Sequence, residues 1–370
     1  MNKKRYFITG GGTGGHIYPA IAVADALLEE QDTEEIFYVG NPNNLEADIT
    51  KEKDYTFLPV NSSGMPRKAT LQFFKWSFQM LVAWLKCCFY IFKYKPDAIF
   101  GTGGYVSAPV LLAGITMRIP FVMHDCDANP GLVTRNFAPF AKSISVAFDV
   151  ECQKLNNKNC IVNGNPIRKE FSTLTKEQAR NNIGLENKLT ICIMGGSQGA
   201  KKINEAAVEI LKELSARNIQ VIFQTGKRNF EDVIAKVKNI YPEYENDKNI
   251  VIKPYFNNMT EVLKASDIAI SRAGSLSISE LCASAVASIF VPYAYAAADH
   301  QRKNAKYMLN NGAGLYLEDG ATNGETLLKK IEIFSNDEEY LKSVQQKALS
   351  LAKYDGASRI VEQIKNTKSI

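Results

Sequence analysis

Apolar residues in this chain come in two patterns, short solid runs and helically spaced faces, and glycine or small polar residues separate one from the next. Tyr6-Phe7-Ile8-Thr9 has strand length and enters Gly10-Gly11-Gly12-Thr13-Gly14-Gly15-His16, after which Ile17, Ala20, Ile21, Ala24, Leu27 and Leu28 recur at helical spacing. Ile36-Phe37-Tyr38-Val39 supplies the next strand. Ala98-Ile99-Phe100 then leads into Gly101-Thr102-Gly103-Gly104-Tyr105, and Phe121-Val122-Met123 into His124-Asp125-Cys126-Asp127. Solid runs alternating with helical faces predict βαβ units and parallel sheets buried on both sides.

The opening pattern recurs in the second half. Leu189 to Met194 reads as a strand, Gly195-Gly196-Ser197-Gln198-Gly199-Ala200 as a phosphate-type turn, and Ile203, Ala206, Ala207, Ile210, Leu211 and Leu214 as a helix face. Val221-Ile222-Phe223 then ends at Gln224-Thr225-Gly226. Asn163-Gly164-Asn165-Pro166 is a turn-rich break between the halves. The expectation is an α/β protein of two similar Rossmann-like, doubly wound domains, residues 1–163 and 164–351, which suits 370 residues.

A third unit spans Asp267 to Ala305. Ile268 to Ile270 and Ser288 to Pro292 read as strands around a helix carrying Leu276, Ile278, Leu281 and Cys282, and Asp299, His300, Gln301 and Asn304 form a polar cluster after the second strand. Ser275 to Ser279 would present amide N–H groups and hydroxyls at a helix N-terminus, which suits an anionic or hydroxyl-rich ligand. Glu280 has two readings: a ligand contact, or the closing residue of a Ser277-x-x-Glu280 capping box. Gly10, Gly12 and Gly15 satisfy G-x-G-x-x-G, but Val39 runs into Gly40-Asn41-Pro42 with no acid for a ribose, which argues against NAD. The chain has only three histidines; His16, His124 and His300 all follow apolar strands in polar segments.

Composition narrows the picture further. The net charge of +5 lacks the dense basic footprint of a nucleic-acid binder. Seven cysteines without a CxxC pair fit a reducing compartment, and the first residues run straight into a strand with no signal-peptide core, so a cytosolic protein is expected. The most apolar window, Leu71 to Phe92, contains Lys75 and Lys86 and reads as a buried helix, as an interfacial one, or as both on different faces. In the second case Phe73, Phe74, Trp76, Phe78, Trp84 and Phe89 would reach lipid while Arg67, Lys68, Lys75, Lys86, Lys93 and Lys95 meet anionic headgroups. No cluster has metal-ligand spacing.

In order along nearly the whole chain, GGTGGHIYPA, GTGGYVSAP, GNPIRKEF, GGSQGA, SRAGSLSISE and DHQRKNA resemble the MurG family, bacterial transferases of the GT-B fold that add N-acetylglucosamine to lipid I. The resemblance implies two domains facing across a cleft, with the segment from about 352 to 370 crossing back to the first. It implies UDP-N-acetylglucosamine as donor substrate, no cofactor, and lipid I as acceptor. It places the protein peripherally on the cytoplasmic face of the membrane, within reach of a cell-wall or division complex.

By residue, the resemblance gives the donor Ser197, Arg168, Phe256 (by a main-chain contact to uracil), Ser275, Leu276, Glu280 (on the ribose) and Gln301. Thr13, Gly14 and Gly15 line the cleft, and Gly103, Gly104 and Tyr105 face the acceptor pyrophosphate. One departure stands out: Asp127 replaces an amide of the family's pattern, and an ionised carboxylate can only accept hydrogen bonds. The expected chemistry is a metal-independent inverting transfer with His16 as base and Asp127 as the second candidate. Two other readings stay open: another UDP-sugar enzyme of this architecture, such as a lipid glycosyltransferase or a UDP-N-acetylglucosamine 2-epimerase, and a catalytically silent membrane scaffold.

Overall fold

A computed structural model describes residues 3–66, 71–196, 198–296 and 299–367. It divides into two compact units, Met1–Ile167 with Asp355–Ile370, and Arg168–Tyr354. The divisions fall a few residues beyond the expected 163/164 and 351/352, because Pro166 and Ile167 stay with the first unit and the tail stays with the second as far as Tyr354.

The first unit carries strands β1 (Lys4–Thr9), β2 (Thr33–Gly40), β3 (Thr56–Pro59), β4 (Ala98–Gly101), β5 (Phe121–Asp125), β6 (Ser143–Val146) and β7 (Cys160–Val162). They form one sheet in the order β3-β2-β1-β4-β5-β6-β7, parallel throughout. Helices α1 (Gly14–Leu28), α2 (Leu45–Thr50), α3 (Leu71–Tyr94), α4 (Gly104–Thr116) and α5 (Leu132–Phe137) connect the strands. Alternate strand residues feed two cores: Tyr6 and Ile8 pack with α1, whereas Phe7 and Phe37 pack with α3 and α4. Both faces of a parallel sheet need helical cover, which is why its strands are solid apolar runs.

The second unit adds α6 (Glu170–Thr173), α7 (Lys176–Ile183), β8 (Thr190–Met194), α8 (Lys201–Ala216), β9 (Gln220–Gln224), α9 (Phe230–Ile240), β10 (Ile250–Lys253), α10 (Met259–Ala265), β11 (Ile268–Ser271), α11 (Ser275–Ala283), β12 (Ala287–Phe290), α12 (His300–Asn310), β13 (Gly314–Tyr316), α13 (Gly324–Ser335) and α14 (Glu338–Ser350). Its sheet runs β10-β9-β8-β11-β12-β13, again parallel. All six apolar positions expected on α8 are buried. The chain then leaves α14, and α15 (Gly356–Lys365) packs on α1, burying Ile360, Val361 and Ile364 in the first unit. Lys365 closes this contact by ion pairs to Glu30 and Asp32.

One expectation is sharpened and two are corrected. Helix α3 has two faces: Ala83, Cys87, Tyr90 and Ile91 are buried, and Leu71, Phe74, Phe78, Phe89 and Phe92 are exposed. The half-buried Trp76 and Trp84 donate their indole N–H to the Ser63 carbonyl at 2.9 Å and the Thr116 hydroxyl at 3.2 Å. Arg67 and Lys68 lie outside the described residues. His124 is no loop residue: β5 runs on to Asp125 and buries it completely. Finally, Cys152 and Cys160 form a disulfide with Cα atoms 5.6 Å apart, where free thiols were expected.

Candidate active site

In each sheet the parallel strands bring their carboxyl ends to one edge, so the turns after β1, β4 and β5 in the first unit, and after β8, β9 and β11 in the second, gather without any sequence proximity.

In the first unit Thr13 is the N-cap of α1, Gly14 and Gly15 open its first turn, and His16 follows. The imidazole lies on the turn after β4. A Cβ on Gly103 would sit 3.7 Å from His16 Cε1 and 3.8 Å from Nδ1, and one on Gly104 would sit 3.1 Å from Cδ2 and 2.8 Å from the Gly11 carbonyl. Both glycines hold positive φ, 82° and 70°, so backbone conformation favours glycine at both, and at Gly104 the space demands it as well. Nδ1 is sealed and without a partner among the described residues. The Thr102 hydroxyl donates to the His16 carbonyl at 2.6 Å, and the Cys126 thiol to the Gly15 carbonyl at 3.1 Å, tying the turns after β4 and β5 to the start of α1.

Sequence reasoning missed the acids behind this histidine. Asp125, buried at the end of β5, accepts from the Asp127 amide at 3.2 Å and the Gly131 amide at 3.0 Å. Burial raises its pKa and the neighbouring Asp127 charge adds to that, while the Gly131 amide and a protonated His16 oppose it. Glu151 is also buried; it accepts from the Phe148 amide at 3.0 Å, and burial with the nearby Asp125 pushes its carboxyl well above the usual range. The available signal for Asp125 was an acid two residues beyond the solid apolar run Phe121 to Met123. His124 is structural. Its Nδ1 lies 2.9 Å from Ser145 Oγ and its Nε2 3.0 Å from Asn165 Oδ1, and burial drives its pKa down to about 4. Because an amide oxygen only accepts, Nε2 carries the proton and Nδ1 accepts from Ser145.

In the second unit, the turn after β8 interlocks with the turn after β9. Gly199, at φ 78°, packs so closely that a Cβ would lie 2.0 Å from the Thr225 carbonyl, and one on Gly226 would lie 2.2 Å from the Gly199 amide. Amide side chains brace the pair: Asn204 donates to the Thr225 carbonyl at 2.8 Å and Asn229 to the Gln198 carbonyl at 3.0 Å. The following helix starts only at Lys201, five residues beyond Gly196. Ser197 lies outside the described residues.

Arg168 and Glu280, 112 positions apart, meet at 3.4 Å, with the guanidinium 5.5 Å over the Phe171 ring. Burial raises the Glu280 carboxyl and Arg168 pulls it back. The capping-box reading of Glu280 fails: Gly274 is the N-cap, so α11 begins at Ser275, with Leu276 next, and both Ser277 and Glu280 lie inside the helix. Phe256 is buried and its amide already donates to Gln224 Oε1 at 3.0 Å. Gln301 Oε1 accepts from the Tyr293 amide at 3.0 Å. Arg272, given no role from sequence, braces the end of β11 by bonds to the Val291 carbonyl at 3.0 Å and Asp319 at 2.5 Å. The structure thus brings His16 together with Gly103 and Gly104, and Arg168 with Glu280. Among the described residues, no hydrogen bond joins Phe256 or Gln301 to that ion pair.

Two parallel α/β units with glycine turns at the carboxyl edges of their sheets define the chain as a GT-B-type glycosyltransferase. Residues 6–146 match the glycosyltransferase family 28 N-terminal domain and residues 190–360 the family 28 C-terminal domain. The UDP-N-acetylglucosamine–N-acetylmuramyl-(pentapeptide) pyrophosphoryl-undecaprenol N-acetylglucosamine transferase of Desulforamulus reducens is 36% identical over 97% of both chains. The crystal structure of Acinetobacter baumannii MurG superposes with a TM-score of 0.79 at 26% identity, covering 98% of this chain and all of that one. This chain belongs to glycosyltransferase family 28, among the MurG transferases. A Listeria monocytogenes protein described as a putative UDP-N-acetylglucosamine 2-epimerase, at 16% identity and a TM-score of 0.68 over 99% of this chain and 96% of that one, shares the fold alone.

Proposed function

We propose that this chain transfers N-acetylglucosamine from UDP-N-acetylglucosamine to the 4-hydroxyl of the N-acetylmuramyl group of a pyrophosphoryl-undecaprenol acceptor, with inversion at the anomeric carbon. The observation that carries the reading is near full-length similarity to transferases of that name, together with a histidine seated on the glycine turn of the first unit. His16 takes the hydroxyl proton as the oxygen attacks C1; the bond from C1 to the diphosphate oxygen breaks, and UDP leaves with the electron pair. Arg168 and the amides of the Gly195–Gly199 turn offset the charge on UDP. Glu280 accepts from the ribose hydroxyls. Phe256 meets uracil through its carbonyl, since its amide is taken. Ser197, Ser275, Leu276 and Gln301 complete the donor site, and Thr13 to Gly15, Gly103, Gly104 and Tyr105 face the acceptor. In this reading no metal is needed, because protein cations and amides supply the charge.

The test is transfer of labelled N-acetylglucosamine to a soluble lipid I analogue, with chelator present and a donor-only control. Acceptor-dependent UDP release under chelator supports both parts of the reading. Epimerised sugar without acceptor would replace it with the epimerase, and bound donor without turnover with the scaffold.

We also propose that α3 holds the protein to an anionic membrane. Its exposed Phe74, Phe78, Leu85, Phe89 and Phe92 are more apolar surface than scattered single residues explain, and Lys75, Lys86 and Lys93 flank them. No described helix is long and apolar enough to cross a membrane. Phe74→Ser with Phe78→Ser should weaken cosedimentation with phosphatidylglycerol vesicles about tenfold or more, as expected for losing two inserted rings. Undiminished vesicle binding would remove α3 from this role.

A further inference from the structure

Glu46 is fully buried at the start of α2, and the mechanism above does not use it. An acid in a first helical turn ordinarily meets the helix dipole from the surface. Here the carboxylate is sealed instead. Its Oε1 accepts from the Asn41 amide at 3.2 Å and from Asn44 Nδ2 at 3.3 Å, while Oε2 has no partner among the described residues. Burying a carboxylate with one oxygen unpaired opposes folding. Helix stability therefore does not account for it, whereas its contacts do.

Those contacts join three segments. The Glu46 carboxylate presses on the turn after β1, where a Cβ on Gly11 would lie 2.4 Å from Oε1. Asn44, on the loop before α2, donates to the Tyr105 hydroxyl at 3.0 Å as well as to Glu46. Tyr105, in the first turn of α4, covers the first glycine turn in its own right: a Cβ on Gly12 would meet its Cε1 at 2.8 Å. One buried carboxylate thus touches the loop after β2 and the turn that leads into the helix of His16, and through Asn44 it reaches Tyr105 at the start of α4.

We infer that Glu46 is a positioning residue for the acceptor: it clamps the Gly10–Gly12 turn and, through Asn44, the Tyr105 phenol in the arrangement that binds the acceptor. This rests on the functional reading above, which gives Tyr105 to the acceptor and the second unit to the donor. Glu46 touches no reacting atom, so its removal acts on acceptor binding and leaves donor binding alone.

Two measurements on the full chain test it. In steady-state transfer to the soluble lipid I analogue, Glu46→Ala should raise the acceptor KM about three- to tenfold, the effect of losing one or two hydrogen bonds, and leave the donor KM unchanged. Asn44→Ala, which keeps the buried carboxylate, should do the same. Glu46→Gln, whose amide oxygen takes over both Oε1 bonds, should restore most of the loss. Glu46→Ala combined with Tyr105→Phe should cost little more than the larger single change. Hydrogen exchange provides a readout independent of turnover: amides of Gly11–Gly15 and Gly103–Tyr105 should exchange faster in Glu46→Ala and Asn44→Ala, and those of Gly195–Gly199 at the wild-type rate. Unchanged exchange at Gly103–Tyr105 overturns the clamp whatever the activity. A rise in donor KM, or full additivity with Tyr105→Phe, overturns its link to the acceptor. Wild-type protein without acceptor-dependent turnover sinks the functional reading instead, and exchange alone then decides the clamp.

Discussion

The turn after β1 and the turn after β8 share a design, a solid apolar strand running into glycines and then a helix, yet they sit among different side chains. Around the first stand a histidine and acids: His16 in the first turn of α1, Asp125, Asp127 and Glu151 behind it, and Glu46 beneath Gly11. Around the second stand amides, with Asn204, Asn229 and Gln224 holding carbonyls of the interlocked loops. Amides neither gain nor lose protons near neutrality, so they hold a backbone cradle at constant charge, which is what a diphosphate requires. A proton transfer needs a group that changes charge, and among the described residues named around these two turns only those at the first can do so. On the mechanism proposed above, the duplicated scaffold would divide proton chemistry and ligand holding between its two units.

The largest test of this division is His16→Ala. Turnover should fall by about 10²- to 10⁴-fold, the usual contribution of a general base, with donor KM little changed. Near wild-type turnover would remove His16 from that role. In the second unit, Arg168→Ala should lower kcat with UDP-N-acetylglucosamine by about 10²-fold, as when one charge-stabilising donor is lost. An effect confined to acceptor KM would break the assignment of Arg168 to the leaving group.

The third test concerns stability. His124 titrates near 6.5 when unfolded and at about 4 in the buried network, so the folded state binds fewer protons between those values. Its contribution is fully present above pH 6.5 and is lost as pH falls towards 4, by about 3 kcal/mol in all. Asp125 and Glu151, raised by burial, act with the opposite sign, losing stability as pH rises. Urea unfolding of wild type and His124→Gln across pH 7.5 to 4.5 isolates the histidine. The variant should lack the slope that the wild type shows on acidification, and equal slopes would show that His124 is not the titrating group. The smallest effect is expected from Asp127→Asn, which restores the amide of the family pattern. A change of a few-fold at most, within the range of one neutral hydrogen bond, leaves His16 as the base, while a loss comparable to His16→Ala would make Asp127 the base instead.

Much of this was legible beforehand. Strands buried on both faces must be solid apolar runs, so β1, β2, β4, β5, β8, β9, β11 and β12 announced themselves, as did the glycine turns at their ends. The strands that went unread, β3, β6, β10 and β13, are three or four residues long, and all but β6 close an edge of their sheet. β4, β11 and β12 are as short and were read; the edge strands differ in being only partly buried, so polar residues such as Thr56 and Lys253 break their apolar runs. Ser277 and Glu280 have capping-box spacing, yet Gly274 starts the helix early and places both inside it, because a cap depends on where φ and ψ turn helical rather than on spacing alone.

The sequence by itself determined the parallel α/β architecture, the duplicated glycine turns and the family, because each is written in neighbouring residues or in ordered motifs. Tertiary structure alone decided which distant groups meet. It set His16 on Gly103 and Gly104, Arg168 beside Glu280, Glu46 under Gly11, and sealed Asp125, Glu151 and His124 away from water. Proximity across a sheet edge and loss of hydration depend on how strands are ordered and covered, and no local pattern encodes either.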